Sequence, residues 1–445
     1  MKKRLFTCMA AAALSSMALT PVLAATYTPA DVKASFDPYA QGMPSFKGLT
    51  VGMTINQSNV DQFKAVLAPV VYNVIKNGWN TITVGPTQDI KLTQGYIKAT
   101  LDNLNKTSLA KDSDNLIGYV AGRPFPGEPD PKDPRAGTKI AWNFQHGLSW
   151  GDNGTIDPFV MKYIDMNTGK VQRTLQLEYH TLNLMHRVDY APIPEFLPNP
   201  AEIFRTIYIK VRSPSDLRNT QLLIQRYDDD SKPDTSYIYL GFQRRVRRLA
   251  PGQTTDAFLG SDLMIQDFEG FNDRISAMNW KYLGTKDILY PFYAHTELKN
   301  LDPADYPGLK EGFKFTSLGG KADCFPQVTW QLRKVYVLEA TPVDKSSPIG
   351  KRIIYQDAQT TKMSITGIYD RKGKLWKAWL ISNSDPDHHL PSNKGSGIEI
   401  DDGFTMVDMQ AMHCSIGRFQ GQINPKLSPK DMFSEQYMRN TGTGN

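Results

Sequence analysis

The chain has 445 residues, with 51 Lys and Arg against 45 Asp and Glu, so its formal net charge is +6. Three of these cations, Lys2, Lys3 and Arg4, lie at the extreme N-terminus, which leaves the remainder only mildly basic. Nucleic-acid binding needs a concentrated basic face, so the composition argues against nucleic acid as a general partner.

Residues 1–24 have the pattern of a secretory signal peptide. The basic N-terminus precedes an apolar, alanine-rich run, and Val22-Leu23-Ala24 provides small or aliphatic residues for cleavage. The run is shorter than the roughly 20 apolar residues that a membrane helix needs, and no other run approaches that length. We therefore expect a periplasmic protein without a membrane span.

The N-terminal part of the mature chain contains the predicted helices. Residues 25–45 are polar and dotted with Pro and Gly, and are interpreted as an extended arm. Helical spacing predicts one helix over Asn59–Lys76, capped by Ser58 and kinked at Pro69. A second short helix is predicted over Thr93–Asn105. The Pro-rich segment from Pro124 to Gly137 is predicted as an irregular loop, and Ile140–Phe144 as a strand.

From Phe159 onward, alternating apolar residues predict mostly strands. A change of phase after Tyr179 suggests a β-bulge near His180. Asp370 to Gly373 has the composition of a tight hairpin. Successive strands joined by short turns indicate a mainly β fold with one large antiparallel sheet. We expect a single domain over residues 46–424 and a polar tail over 425–445. Further strands are predicted at Ile203–Val211, Gln221–Tyr227 and Leu375–Ile381, and another, through Trp330, Leu332, Tyr336 and Leu338, is predicted to end at Ala340.

One segment, Tyr237 to Gly270, combines an apolar strand with a basic cluster and acidic residues. The strand Tyr237–Phe242 is predicted to continue into Arg244, Arg245, Arg247 and Arg248. Arginine forks pair with carboxylates or phosphates, and three acids follow: Asp262, Asp267 and Glu269. Two interpretations remain open: a structural Arg–Asp network closing the end of a sheet, or a cationic rim that meets an anionic head group or a partner protein.

Two cysteines, Cys324 and Cys414, remain after removal of the leader. An even pair in an oxidising compartment favours a disulfide, with two buried thiols as the alternative.

No motif of nucleophilic, nucleotide or zinc chemistry is present: the chain lacks GxSxG, a Walker loop, GxGxxG opening a helix, and HExxH. The adjacent His388 and His389, with Asp385 or Asp387, are a weak pattern for a metal. We therefore predict no catalytic residue, no metal and no cofactor, and interpret the chain as a non-enzyme.

Several motifs carry a family resemblance. They are RRVRR, FLGSDL and QDFEG after Tyr237, YVAGRPFPGEPDPKDPRAGTKIAWNF from Tyr119, and VTWQLRKVYVLEATP, GKRIIYQD and YDRKGKLWKAW after Val328. By their order and spacing along the chain they resemble the domain of unknown function 1329 family, within the LolA/LolB-like lipoprotein-sorting superfamily, over most of the chain. Gln331 and Ala358-Gln359 depart from acidic positions of the pattern, so they receive no role.

The resemblance implies an incomplete β-barrel with a concave face closed by helices, and a working relation with an exporter of the RND type or with outer-membrane transport. The leading hypothesis is a carrier or chaperone for a lipid or other hydrophobic molecule. An adaptor without a small ligand and a hydrolase with dispersed carboxylates are the alternatives. A carrier should have a cavity of several hundred Å³, with the Ser58–Lys76 helix or the Pro124–Gly137 loop at its mouth. Candidate contacts to ligand or partner are Arg244, Arg245, Arg247, Arg248, Asp262, Asp267, Tyr237, Tyr239, Trp330 and Tyr336.

Overall fold

A computed structural model describes residues 26–250, 255–297, 315–423 and 426–442, so the predicted leader lies outside the described residues. The helices are α1 Pro29–Phe36, α2 Pro69–Lys76, α3 Gln94–Asp102, α4 Ala136–Gln145 and α5 Glu435–Gly442. The strands are β1 Thr54–Ile55, β2 Ile82–Val84, β3 Ser108–Leu109, β4 Leu116–Ile117, β5 Asn153–Asp165, β6 Val171–Asn183, β7 Ile203–Ser213, β8 Gln221–Tyr227, β9 Thr235–Leu240, β10 Arg245–Arg248, β11 Met278–Tyr290, β12 Phe292–Tyr293, β13 Leu318–Gly319, β14 Phe325–Pro326, β15 Thr329–Pro342, β16 Ile349–Asp357, β17 Ile365–Asp370, β18 Leu375–Ser384, β19 Ile400–Asp408 and β20 His413–Ile423.

One sheet of 16 strands dominates the fold. Its order is β1-β2-β15-β16-β17-β18-β19-β20-β5-β6-β7-β8-β9-β10, with β11 added beside β15 and β12 beside β18. The pairings of β2 with β15 and of β12 with β18 are parallel, and the other pairings of this sheet are antiparallel. The sheet does not close into a barrel. The prediction of a mainly β fold built on one large sheet is confirmed, with two short parallel pairings added.

The sheet is strongly curved. Ile209 on β7 and Trp379 on β18 line the same cavity, although four strands lie between β7 and β18 in the sheet. Neighbouring strands are about 4.8 Å apart, so a flat sheet would separate these two strands by about 24 Å. The two side chains meet because the sheet bends around the cavity, which gives it a concave face.

Tight turns produce much of the antiparallel order. Between β17 and β18, a carboxylate oxygen of Asp370 accepts hydrogen bonds from the backbone N–H groups of Lys372 and Lys374, each 2.9 Å long. Gly373 has φ 76°, a left-handed conformation that glycine adopts without steric cost. The predicted hairpin is confirmed.

The predicted N-terminal arm is not extended throughout, because it contains α1. The side chain of Thr28 accepts from the N–H of Asp31, and the Asp31 carboxylate accepts from the N–H of Thr28, so the helix starts with a capping box. Val32 and Phe36 are buried in the main core. This part of the arm therefore packs as an element of the folded domain.

The predicted Asn59–Lys76 helix is two helices. A 3-10 helix covers Val60–Val66, Leu67 is extended, and α2 begins at Pro69. Proline disfavours helical backbone at the residue before it and suits the first helical position, so Pro69 starts a helix instead of kinking one. Ser58 does not cap either helix, since the N-cap positions are Asn59 and Ala68.

Two further local predictions need correction. Ile140–Phe144 is part of the helix α4, because a short apolar run fits a buried helix as well as a strand. A register shift does lie next to His180, where Ile156 and Phe159 pair with Tyr179 and Leu177, but the extra residue is on β5 and not on β6. The apolar phase changes because both faces of β6 are buried from Tyr179 to Asn183.

Helices cover the sheet at several places. The main hydrophobic core includes α2, which packs on β17 and β18. A second core forms where α4 meets β11 and β15. A third forms where α5 packs on β8, β9 and β10, so the polar C-terminal tail contributes a helix to the fold.

Candidate functional site

A covered apolar cavity lies on the concave face. Its volume is about 50 Å³. Residues 257–270, here called the strap, cross it and contribute Phe258, Leu263 and Phe268 to its wall. The sheet contributes side chains from β5, β6, β7, β18, β19 and β20, and Trp150, three residues before β5, adds to the wall. The complete wall is Trp150, Ile156, Phe159, Met161, Tyr179, Ile209, Phe258, Leu263, Phe268, Glu269, Trp379, Ile381, Asp401, Phe404 and Phe419.

The cavity is smaller than predicted, and a different segment covers it. Ligand sites usually have volumes of about 300–1,000 Å³, so this cavity is too small to be the predicted one. A cavity of about 310 Å³ lies elsewhere, lined by polar residues such as Asp234, Arg274 and Asp344, but no aromatic side chain contributes to its wall, so it does not match the prediction either. Neither the Ser58–Lys76 segment nor the Pro124–Gly137 loop lines the cavity of about 50 Å³ on the concave face. The strap covers it because Phe258 and Phe268 pack edge to face, with ring centroids 5.1 Å apart, over the aromatic residues of the sheet.

Three carboxylates of the strap hold it to the sheet through side chains. The Oδ2 atom of Asp262 accepts from Ser415 Oγ at 2.7 Å and lies 2.7 Å from His413 Nδ1. Asp267 Oδ1 accepts from Arg352 Nη1 at 2.6 Å, and both side chains are buried. The third carboxylate, Glu269, accepts from Tyr179 and Ser149, at 2.6 and 2.8 Å.

A buried ion pair supports the cavity wall from behind. Lys362 Nζ lies 2.9 Å from each carboxylate oxygen of Asp401 and donates to Ser149 Oγ at 3.0 Å. Burial raises the pKa of Asp401 to about 6, although Lys362 opposes the shift. For Glu269, burial alone would raise the pKa, but Arg205 and Lys362 lower it.

These perturbed acids are the feature that a hydrolase would show, and two of them line the cavity. Their oxygens are already hydrogen-bonded, those of Asp401 to Lys362 and Asn383, and those of Glu269 to Tyr179 and Ser149. The arrangement is therefore a charge-paired support under an apolar wall.

Glu399, which is 3% exposed, gives a pH-dependent test of this interior. Burial raises its pKa from 4.5 to about 8, so between these values the folded state holds a proton that the unfolded state releases. The free energy of unfolding should therefore fall as pH rises through this window. Because Glu399→Gln stays neutral, we expect it to be more stable than the wild type near the upper end of this pH range. Its free energy of unfolding should also lack this part of the decrease with pH. Urea unfolding across the window measures it.

The exposed Glu202 is the matched control, since Glu202→Gln should leave the pH profile unchanged. Parallel profiles for the wild type and Glu399→Gln would contradict the expectation.

The four predicted arginines lie away from the cavity. The chain turns back after Leu240, so β10 pairs with β9 as a hairpin instead of extending the strand. Their side chains are exposed, and Arg248 Nη2 donates to Thr235 Oγ1 at 3.0 Å. The predicted network with Asp262 or Asp267 is wrong, because those acids bind His413, Ser415 and Arg352 instead.

The four predicted aromatic residues occupy three different cores. Tyr239 is buried and Tyr237 half-buried in the core around α5, Trp330 is in the main core, and Tyr336 is in the core around α4. None of them lines the cavity. Of the eight aromatic residues that do line it, four lie on β5, β18, β19 and β20, one on β6 and two in the strap, and Trp150 precedes β5. The alternation of these residues with polar ones predicts strands, but it does not show which face of each strand becomes part of the concave face of the sheet.

Cys324 and Cys414 form a disulfide, with Cα atoms 6.1 Å apart. Cys414 lies on β20, and Cys324 precedes β14. The bond ties the segment around β14 to the middle of the large sheet.

A cluster of His295, His389 and Asp402 has the spacing of a metal site, with ligand atoms within 4.8 Å of one another. The exposed His388 does not belong to it. Asn393 Nδ2 donates to Gly421 O and lies 2.9 Å from His389 Nδ1, which must therefore accept. The proton of His389 is then on Nε2 and is donated to Asp402 Oδ1, 2.8 Å away. Hydrogen bonding accounts for the His389–Asp402 contact, and we assign no metal to it.

None of the helices in the described ranges has the length and apolar character to span a membrane. No curated protein sequence matches the chain significantly.

Comparison with solved structures finds proteins that are similar to this chain at low identity. A DUF1329 family protein from Desulfovibrio piger ATCC 29098 is 16% identical with a TM-score of 0.46, and the match covers 69% of this chain and 99% of that one. A LolA superfamily protein from Nitrosomonas europaea is 12% identical with a TM-score of 0.36, over 64% of this chain and 91% of that one. The model of one family, described as "Protein of unknown function (DUF1329)", matches residues 54–439, and the chain therefore belongs to the DUF1329 family.

Proposed function

We propose that the protein is a periplasmic carrier of a lipid or another hydrophobic molecule, which it binds on the concave face beneath the strap. The observation that carries the proposal is the apolar cavity, whose cover is held by side-chain contacts of Asp262, Asp267 and Glu269. A cover of this kind can leave without breaking the sheet. The disulfide is consistent with an oxidising compartment such as the periplasm.

Binding would exchange the apolar side chains of the strap for those of the ligand. A hydrogen bond to a charged group contributes about 1.5–3 kcal/mol, so burial of a few methylenes, at about 0.8 kcal/mol each, offsets the loss of one anchor. An acyl chain or a polycyclic molecule provides that surface. The closed strap and the ligand thus compete for the same aromatic wall.

This competition gives a direct test with Phe268→Ala. The variant removes a ring that fills the site in the closed state, so the open state becomes more populated and ligand binding costs less. We expect delipidated Phe268→Ala to bind a fluorescent fatty acid about tenfold more tightly than the wild type, equivalent to about 1.4 kcal/mol. Fluorescence titration measures the dissociation constants.

Phe271→Ala is the matched control. Phe271 follows the strap but packs on Trp280 in the core around α4, with ring centroids 5.0 Å apart, so its loss should reduce stability without tightening binding. Equal affinities of Phe268→Ala and the wild type, or no binding of fatty acids or sterols by either, would count against the carrier.

An adaptor without a small ligand is the second candidate. The observation that favours it is the packing of the concave face by side chains of the protein itself, which leaves only about 50 Å³. In either case we propose that the partner is an exporter of the RND type or outer-membrane transport machinery, as the family resemblance implies.

A further inference from the structure

We propose that the free edge of β10 is a docking strand for an acidic, extended segment of a partner protein. Among the described residues β10 ends the strand order, and its only strand partner there is β9. The inference goes beyond the carrier proposal, because β8, β9 and β10 contribute no side chain to the cavity.

The register shows which backbone groups face outward. Leu249 donates its N–H to Ser236 O at 2.8 Å, and the same register pairs Arg247 with Ile238 and Arg245 with Leu240. In an antiparallel ladder, alternate residues bond the same neighbour, so Arg245 and Arg247 bond β9 through their backbones. The N–H and C=O groups of Val246 and Arg248 therefore point to the free edge, where an added strand would bond them.

The side chains define the occupant. Arg244, Arg245, Arg247 and Arg248 are exposed, and no carboxylate in the described ranges forms an ion pair with them. Phe242, at the tip of the same hairpin, is 71% exposed. Arginine and aromatic residues are the types enriched at protein interfaces. A second copy of β10 would place arginine near arginine, which is unfavourable, whereas carboxylates would pair with the guanidinium groups.

The alternation of side chains between the two faces of β10 determines the residue pattern expected in the partner segment. Arg245 and Arg247 project to one face of β10, and Val246 and Arg248 to the other. Val246 packs partly on the core around α5. A segment with acids at every second position would direct all of them to the face of Arg245 and Arg247.

The test uses a fluorescent peptide of alternating glutamate and valine, titrated with the mature protein in an anisotropy assay. We expect saturable binding that weakens as salt is added. Arg245→Glu with Arg247→Glu should weaken it at least about tenfold. Lys372→Glu with Lys374→Glu, on the exposed β17–β18 turn, changes the net charge equally and should have no such effect.

A pair of variants at Arg248 separates strand addition from simple charge attraction. Arg248→Ala keeps the outward N–H, whereas Arg248→Pro removes it at an edge position that tolerates proline. Both lose the side chain and its bond to Thr235, so we expect the proline variant to bind the peptide several-fold more weakly than the alanine variant. Equal binding would overturn strand addition.

Two further results would overturn the proposal. One is the absence of saturable peptide binding. The other is binding to vesicles with anionic lipid in place of the peptide, which would assign the arginines to a lipid surface. Arg245→Ala should leave the melting temperature unchanged, because the side chain is exposed and unpaired among the described residues. Failure of fatty-acid binding would leave this surface unaffected, so the two proposals fail separately.

Discussion

Replacement of Arg333 by methionine should lower the free energy of unfolding by about 3–5 kcal/mol. Arg333 and Asp357 are 0% and 1% exposed, and Arg333 Nε donates to Asp357 Oδ2 at 2.5 Å. Without the guanidinium, the Asp357 carboxylate stays buried next to only neutral donors, the N–H groups of Gln359 and Thr360 and the hydroxyl of Thr360. The free-energy cost of a buried, unpaired charge is far greater than the contribution that the ion pair makes to stability.

Urea unfolding of purified protein measures the change. Arg173→Met is the matched control: its partner Asp216 is 58% exposed, so the loss there should be at most about 1 kcal/mol. Adding Asp357→Asn to Arg333→Met should restore part of the stability, because it removes the unpaired charge. Similar losses of unfolding free energy for Arg333→Met and Arg173→Met would show that the buried pair contributes no more to stability than the exposed pair.

Removal of the disulfide should have a comparable effect. Cys324 and Cys414 are 90 residues apart, and both are fully buried. Closure of a loop of this length reduces the entropy of the unfolded chain, which stabilises the fold by about 4–5 kcal/mol. We expect Cys324→Ala with Cys414→Ala to lose that amount, measured by urea unfolding without reductant.

Reductant provides the control, since it should destabilise the wild type to the level of the double variant and leave the double variant unchanged. Alkylation of the unreduced, denatured mature protein should find no free thiol. Two modified cysteines in that experiment would contradict the disulfide.

The sequence by itself determined the class of fold and many of its strands. Gln221–Tyr227 is β8 with the predicted bounds, and the strand predicted to end at Ala340 is β15, which continues to Pro342. These strands were predictable because their period of two is a local property, set by the pleat of the backbone. The disulfide between the two cysteines and the turn at Gly373 were predictable for the same reason, since each prediction depends on residue type or on a few neighbouring residues.

The site could not be predicted from the sequence. The acids of the strap find partners far along the chain: Asp267 and Arg352 are 85 residues apart, and Asp262 and Ser415 are 153 apart. Nearby arginines were the natural sequence-based partners, but β10 turns back on β9 and carries them to the edge of the sheet. At Ile140, packing on β11 and β15 favours the helix α4 over the predicted strand. Which face of each strand becomes concave depends on the curvature of the whole sheet, and alternation along one strand carries no information about that curvature.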